Sequence, residues 1–416
     1  MIAKTIKDFR NYIKNIDSLT FFLCLVWGRD LLGYANAVFL RIPLLKEVGE
    51  YAAEIILVIA LLFCLRRLSK YITQGPALFY LFFLVAYVFT YVMFPQNSDF
   101  LDANAICLLT VLPFIFVGRT IDIDKLAKPF YVISFFYIVW RFFVIIFLKR
   151  DEREMGEFAD YNMAAAYIFL PHLLMVTWHF LQKINILDAV GVVIGIIVLL
   201  GFGTRGPVFC LIVFVGLYFL FARSFKRRLL STIIIIIVGT LAIVYVNSVF
   251  DVLSSATSYL SLSNRIFNQY EEGMLNSDSG RGLIQNTVLS ATQQSGFFGL
   301  GICGDRVATG DNYSHNLVVE IIASFGYTIG SLLIISLVIL TLLAWRRCGT
   351  QDRKGFFLVL LSYNLHLLLS SSYLQTPLFF FYIGFCVRLL QEKSKDIIYD
   401  KGNKVGRAAY LSQSAR

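Results

Sequence analysis

The stretch Ser314-His315-Asn316 combines a hydroxyl, an imidazole and an amide just before a long apolar run and just after the glycines Gly296, Gly299, Gly301 and Gly304. A serine in that position caps the coming helix and leaves His315 in its first turn. The positive end of a helix disfavours imidazolium, so this histidine is expected to be neutral near pH 7 and able to take a proton from a hydroxyl. The alternative is an interfacial histidine hydrogen-bonded to the loop.

Arg205 lies in Gly203-Thr204-Arg205-Gly206-Pro207, a short turn between two apolar runs. Pro207 suits the first turn of a helix, and the flanking glycines let other groups approach the backbone. An arginine held there offers a planar, two-pronged edge to pyrophosphate; snorkelling to lipid phosphate is the other reading. Arg281 and Arg265 carry the same two readings. Arg29, Asp30, Glu54, Arg141 and Glu320 fall inside apolar runs. A charge at mid-bilayer costs about 2.5 to 3.5 kcal/mol, so such groups must pair or face a polar cavity. Arg29 and Asp30 suit an ion pair, whereas Arg141, Asn316 and Glu320 are candidates to line a substrate cavity.

Other chemistries find less support. The chain has four histidines. His172 and His179 share a helix face, but no H-E-x-x-H spacing accompanies them, and no metal site is expected. Seven cysteines form no C-x-x-C pair, which argues against a disulfide framework or a cysteine zinc site. Asp122-Ile123-Asp124 sits in a short turn with no soluble domain around it, and neither a phosphate-cradling G-x-x-x-x-G-K nor a G-x-S-x-G elbow is present.

The elements that must position these residues are membrane helices. Of the 416 residues 58% are hydrophobic and only 15% charged, with a mean hydropathy of +0.71, a composition that needs a lipid solvent. Apolar runs long enough to cross roughly 30 Å of hydrocarbon recur throughout. They predict an all-α polytopic bundle of about twelve spans, near 19–40, 48–65, 76–94, 102–118, 129–148, 162–181, 187–203, 206–222, 229–247, 315–343, 355–371 and 373–390. With the N-terminus in the cytoplasm, 26 of the 37 Lys and Arg fall on the cytoplasmic side, as an even span count and the positive-inside bias require. Topology and anionic lipid thus account for the net charge of +10, and nucleic acid is not an expected partner. The first apolar run lacks a small-residue cleavage pattern and reads as a retained helix. The tail over 391–416 reads as a solvated cytoplasmic end.

Most connections are short, so the chain reads as a single integral membrane domain, 1–416. The segment 248–314, between the ninth and tenth spans, is the exception and falls on the outer side. A connection of that length in a compact bundle points to function or disorder, and its apolar residues argue against disorder. Phe250, Leu253, Thr257, Leu260 and Phe267 follow helical spacing, as for a helix on the membrane surface. A second helix is expected after Asp278-Ser279-Gly280, with Leu283, Ile284, Val288 and Ala291 on one side. The glycines that follow would close the loop as a cap over an outward-facing cavity.

Read together, these pieces resemble the O-antigen ligase and polymerase family of bacterial surface-polysaccharide assembly. Thr204-Arg205-Gly206 resembles its S/T-R-G turn, Ser279-Gly280-Arg281 its S-G-R, Gly299-Leu300-Gly301 its G-x-G, and His315-Asn316 with Glu320 and Gly326 its H-N with a downstream E and G. Gly156-Glu157-Phe158 with Asn162 is a further match before the sixth span. The proline usual before G-x-G is replaced by Gly296-Phe297-Phe298, and the usual N-P-N by Asp160-Tyr161-Asn162. The motifs extend over about 155–330.

The resemblance implies an inverting, metal-independent glycosyltransferase of the bacterial inner membrane, with both termini cytoplasmic and its site facing the periplasm. Its donor would be a polyprenyl-pyrophosphate-linked oligosaccharide and its acceptor another lipid-linked repeat unit, as in a polymerase, or the lipid A core, as in a ligase. No cofactor is implied, and a chain-length regulator protein would be a partner beside membrane lipid. Arg205 and Arg281 would hold the pyrophosphate, and His315 would deprotonate the acceptor. A glycan or lipid flippase is the reading from a different class. It should show symmetric halves and mid-membrane substrate groups, whereas the candidates here gather in one asymmetric outer loop.

Overall fold

The computed structural model describes residues 17–29, 31–32, 52–105, 107–144, 163–221, 254–255, 270–271 and 280–391. Among these the regular elements are all helical. In chain order the principal helices are α1 (Ser18–Trp27), α2 (Ala52–Leu68), α3 (Gln74–Met93), α4 (Ser98–Asn104), α5 (Phe114–Thr120), α6 (Ile123–Phe143), α7 (Met163–Gln182), α8 (Ile186–Gly201), α9 (Arg205–Phe221), α10 (Arg281–Gln294), α11 (Gly304–Thr309), α12 (Leu317–Arg347), α13 (Gln351–Asn364) and α14 (Pro377–Gln391). The expected span at 229–247, the expected surface helix over 250–267 with Arg265, the 392–416 part of the tail, Asp30, the Glu54 side chain and Gly156-Glu157-Phe158 with Asn162 lie outside the described residues.

Helix length limits how many of the expected spans cross a bilayer unaided. Four helices, α3, α6, α7 and α12, are long and apolar enough; a fifth span results if Pro95–Asn104 and Cys107–Thr120, bent by 43°, are one broken span. The apolar runs expected at 187–203 and 206–222 do form α8 and α9, but with 16 and 17 residues. At 1.5 Å per residue they reach about 24 and 26 Å, short of a core of roughly 30 Å. The described residues therefore hold four or five full-length candidates, where composition predicts about twelve. Composition does not register where a turn shortens a helix.

The chain divides into two compact units. The first comprises Met1–Lys70, Asp122–Gly280 and Leu358–Ser370, and the second Tyr71–Ile121, Arg281–Phe357 and Ser371–Arg416.

In the first unit α6, α7 and α8 pack closely together, with α1 against α6 and α9 against α7. Asp17 caps α1 by accepting from the Thr20 amide at 2.9 Å, and Asn185 caps α8 from the Asp188 amide at 2.9 Å. Polar side chains are satisfied by one another. Trp27 Nε1 donates to Ser134 Oγ at 2.9 Å, and that hydroxyl lies 3.1 Å from His172 Nδ1. His179 Nδ1 lies 2.7 Å from Asp188 Oδ2, and the same carboxylate accepts from Tyr131 and Asn185.

In the second unit α10 lies along the first turns of α12 and also packs against α11. Val288, Val319 and Ala323 form their common core, with Leu289 and Leu300 against it. Leu283, expected on the same side of α10 as Val288, is 75% exposed, whereas Val288 is fully buried. The 31-residue α12 is broken at Gly326, whose φ of 76° and ψ of 168° are not helical. The break is held from outside. Leu300 N–H donates to the Ala323 carbonyl at 2.7 Å, and a Cβ on Gly299 would lie 2.6 Å from that oxygen, while one on Gly326 would collide with the Phe297 carbonyl. Glycine at both positions is therefore a condition of the contact. Beyond the break, Leu332, Ile335, Val338, Ile339 and Leu342 are exposed, as on a lipid-facing surface, and this part alone is long enough to span.

Candidate active site

His315 does not sit in the first turn of α12. Asn316 is the N-cap, its side-chain oxygen accepting from the Val318 amide at 2.9 Å and the Val319 amide at 3.4 Å. The expected cap, Ser314, is fully buried and its Oγ has no hydrogen-bond partner. An asparagine two residues before Val318 competes for the same amides and is placed to win them. His315 is left outside the helix with φ 53°, a left-handed conformation that costs a non-glycine residue about 1 to 2 kcal/mol. Its ring tilts against Tyr313 at 4.0 Å between centroids, and Nδ1 is buried without a hydrogen-bond partner.

A buried ionic network lies just behind it. Asp305 and Arg306, at the start of α11, are 1% and 5% exposed. Arg306 donates to Asp305 Oδ1 at 3.0 Å and to Ser372 Oγ at 3.1 Å, and lies 3.5 Å from Glu320 Oε1. Glu320 also accepts from the Ser372 hydroxyl and, at 3.2 Å, from the Tyr373 amide. The other Asp305 oxygen accepts from the Ser314 amide at 2.9 Å. Glu320 is thus engaged within this network. Sequence reasoning passed over Asp305 and Arg306, which lie in a loop, where charged residues ordinarily meet water. Their adjacency to the glycine run, which turns the chain inward, was the available signal.

The loop carrying them is fixed through Asn97, which donates from Nδ2 to the carbonyls of Leu300 at 2.9 Å and Ile302 at 3.1 Å. The Ile302 amide donates to Thr90 Oγ1 at 3.2 Å. Phe83, Ile321, Phe325, Leu337, Tyr373 and Phe379 help line an apolar cavity of about 300 Å³ in the same unit.

Burial holds the His315 imidazole below its ordinary pKa, and the nearby Arg281 guanidinium pushes in the same direction, with Asp305 opposing. Neutral imidazole results, as expected, though burial and a neighbouring cation are the cause and helix position is not. Arg281 opens α10, which the Val288, Val319 and Ala323 core sets alongside the chain that carries His315.

Arg205 belongs to the first unit, at the first position of α9. Gly206 beside it approaches the Tyr167 hydroxyl so closely that a Cβ would collide with it, and Tyr167 in turn lies 4.7 Å from the His366 ring. Arg141, also in the first unit, places its guanidinium 5.6 Å from the Phe202 ring centre. His172, His179 and His366 each place Nδ1 in a hydrogen bond, to Ser134, Asp188 and the Tyr363 carbonyl. Among the described residues no three His, Cys, Asp or Glu side chains converge as a metal-ligand set.

Residues 190–335 match the family model described as O-antigen ligase. Over this stretch the chain is similar to the O-antigen ligase family. No curated protein matches it in sequence. The stretch shared with this family takes in Arg205, Arg281, the Asp305–Arg306 pair, His315, Asn316, Glu320 and the break at Gly326, and leaves out Arg141. The matched region contains both the glycine-clamped helix and the histidine that precedes it.

Proposed function

We propose that this chain is an inner-membrane glycosyltransferase that acts on a polyprenyl-pyrophosphate-linked glycan at the periplasmic face, as a surface-polysaccharide polymerase. The observation that carries the reading is His315, a neutral imidazole with an unengaged ring nitrogen beside the cation of Arg281. His315 takes the proton of the acceptor hydroxyl, whose oxygen attacks the anomeric carbon from the face opposite the leaving group, inverting it. The C–O bond to the pyrophosphate breaks, and Arg281 stabilises the charge that collects on the departing oxygens, the role that the motif around Arg205 also suggests for that arginine. Arginines supply that stabilisation without a metal, so a chelator should leave turnover intact.

The acceptor in this reading is another lipid-linked repeat unit. In the alternative reading, a ligase, the acceptor is a lipid A core. Deleting the gene in a host that makes such a core separates the two. A polymerase defect leaves single repeat units on the core and no long chains. A ligase defect leaves the core bare while long polymer accumulates on the carrier. In a host without that core, purified protein should lengthen a lipid-linked repeat unit with no other acceptor present. Sidedness is tested by cysteines at Asn312 and Thr350 with an impermeant thiol reagent in intact cells; labelling of both alike contradicts the orientation.

A further inference from the structure

The left-handed backbone at His315 is held by neighbours on both sides. On the C-terminal side Asn316 caps α12. On the N-terminal side Ser314 is gripped through its backbone amide, because its own hydroxyl has no hydrogen-bond partner. That grip is Asp305, and Asp305 is itself held by Arg306, which reaches Glu320 in α12 and Ser372. We propose that Asp305 and Arg306 are positioning residues for His315: Arg306 ties Asp305 to α12, and Asp305 holds the Ser314 amide so that the imidazole is presented with its ring nitrogen unengaged. Neither residue touches substrate.

The arrangement explains why two charges are buried in a loop. A carboxylate that must hold one amide rigidly needs its other oxygen fixed, and a buried guanidinium does this from a second, helical anchor. A strained residue with an unengaged ring nitrogen persists only where its surroundings over-determine it. Here they do so through the Asn316 cap on one side and one carboxylate on the other.

The inference rests on His315 being the reactive group, yet its test has a readout independent of turnover. The rate at which diethylpyrocarbonate modifies His315 is followed by peptide mass spectrometry on full-length protein in membranes, alongside donor turnover. In the wild type the half-buried ring reacts slowly. Asp305→Ala removes the acceptor for Ser314, and modification should become at least fivefold faster while turnover falls at least tenfold. Asp305→Asn loses the charge pairing with Arg306 to the same degree but keeps an oxygen for the Ser314 amide, and should recover most of both losses. If Asp305→Ala fails to accumulate, Asp305→Glu keeps the pair with Arg306 while shifting the carboxylate by one methylene, and should still speed modification. Modification at the wild-type rate in Asp305→Ala or Asp305→Glu overturns the proposal, as does an Asp305→Asn variant as impaired as Asp305→Ala. Should His315→Ala keep its turnover, the general-base reading fails while the modification rates still decide the tether.

Discussion

The two units treat their histidines in opposite ways. In the first, His172 and His179 lie within the regular helix α7, and His366 in the short turn that follows α13; each gives Nδ1 to a neighbour, at 3.1, 2.7 and 2.6 Å. Such groups are satisfied, and their removal disturbs packing. In the second, His315 is off the helix, left-handed and unengaged at Nδ1, although an ionic network surrounds the backbone that carries it. A protein that can satisfy three histidines can satisfy a fourth. In the proposed reading this difference, more than any single motif, favours His315 as the reactive group.

The largest expected break in this comparison is His315→Ala. Loss of a general base should lower donor turnover by about 10²- to 10⁴-fold with normal amounts of protein in the membrane. Turnover within threefold of wild type would place His315 with the other three. Arg281→Ala and Arg205→Ala come next, each expected to cost about 10²- to 10³-fold, as for removal of one group that stabilises developing charge. Lysine should restore part of the activity at each position, since it keeps the charge and loses the two-pronged edge. Equal loss with lysine and alanine would point to geometry alone.

Asp188→Ala tests the opposite side. It strips partners from His179, Tyr131 and Asn185, and should cost about 2 kcal/mol of stability or more. That loss is read as a lower unfolding temperature in detergent, with turnover per folded molecule unchanged. Lost turnover without lost stability would move this network into the machinery.

The pH dependence sharpens the comparison more gently. The pKa of His315 is held below its usual 6.5, so the base stays unprotonated as acidity rises past that point. Turnover should hold as pH falls through 6.5 and be lost only below it. Arg281→Gln removes a cation that disfavours imidazolium, so the residual activity should be lost at higher pH than in wild type. A wild-type midpoint at or above 6.5 would contradict the environment described for the ring. Ser314→Ala should have the smallest effect, within about 0.5 kcal/mol in stability and twofold in turnover, because that hydroxyl has no partner to lose.

Much of this was legible in the residues. Apolar runs located α3, α7, α8, α9 and α12 to within a few residues, because a lipid-facing helix needs little beyond apolar side chains at every position. His315 and Arg281 stood out because reactive types fell beside glycines and a helix start, and α10 began where Ser279-Gly280 indicated. The cap of α12 was misread because Ser314 and Asn316 are both good N-caps, and only the backbone direction chooses between them.

What the sequence by itself determined is the helical, membrane-bound character of the chain and the candidates for its reactive side chains. Both follow from local composition and from the chemistry of single residues. The conformation of His315, the assignment of Asn316 as cap and the burial of Asp305 and Arg306 were decided by tertiary structure alone. Each depends on groups far apart in the chain: Arg306 meets Ser372, Leu300 meets Asn97, and Gly299 meets Gly326. A charge in a loop is ordinarily solvated, and only the partners the fold brings to it can make it a buried strut.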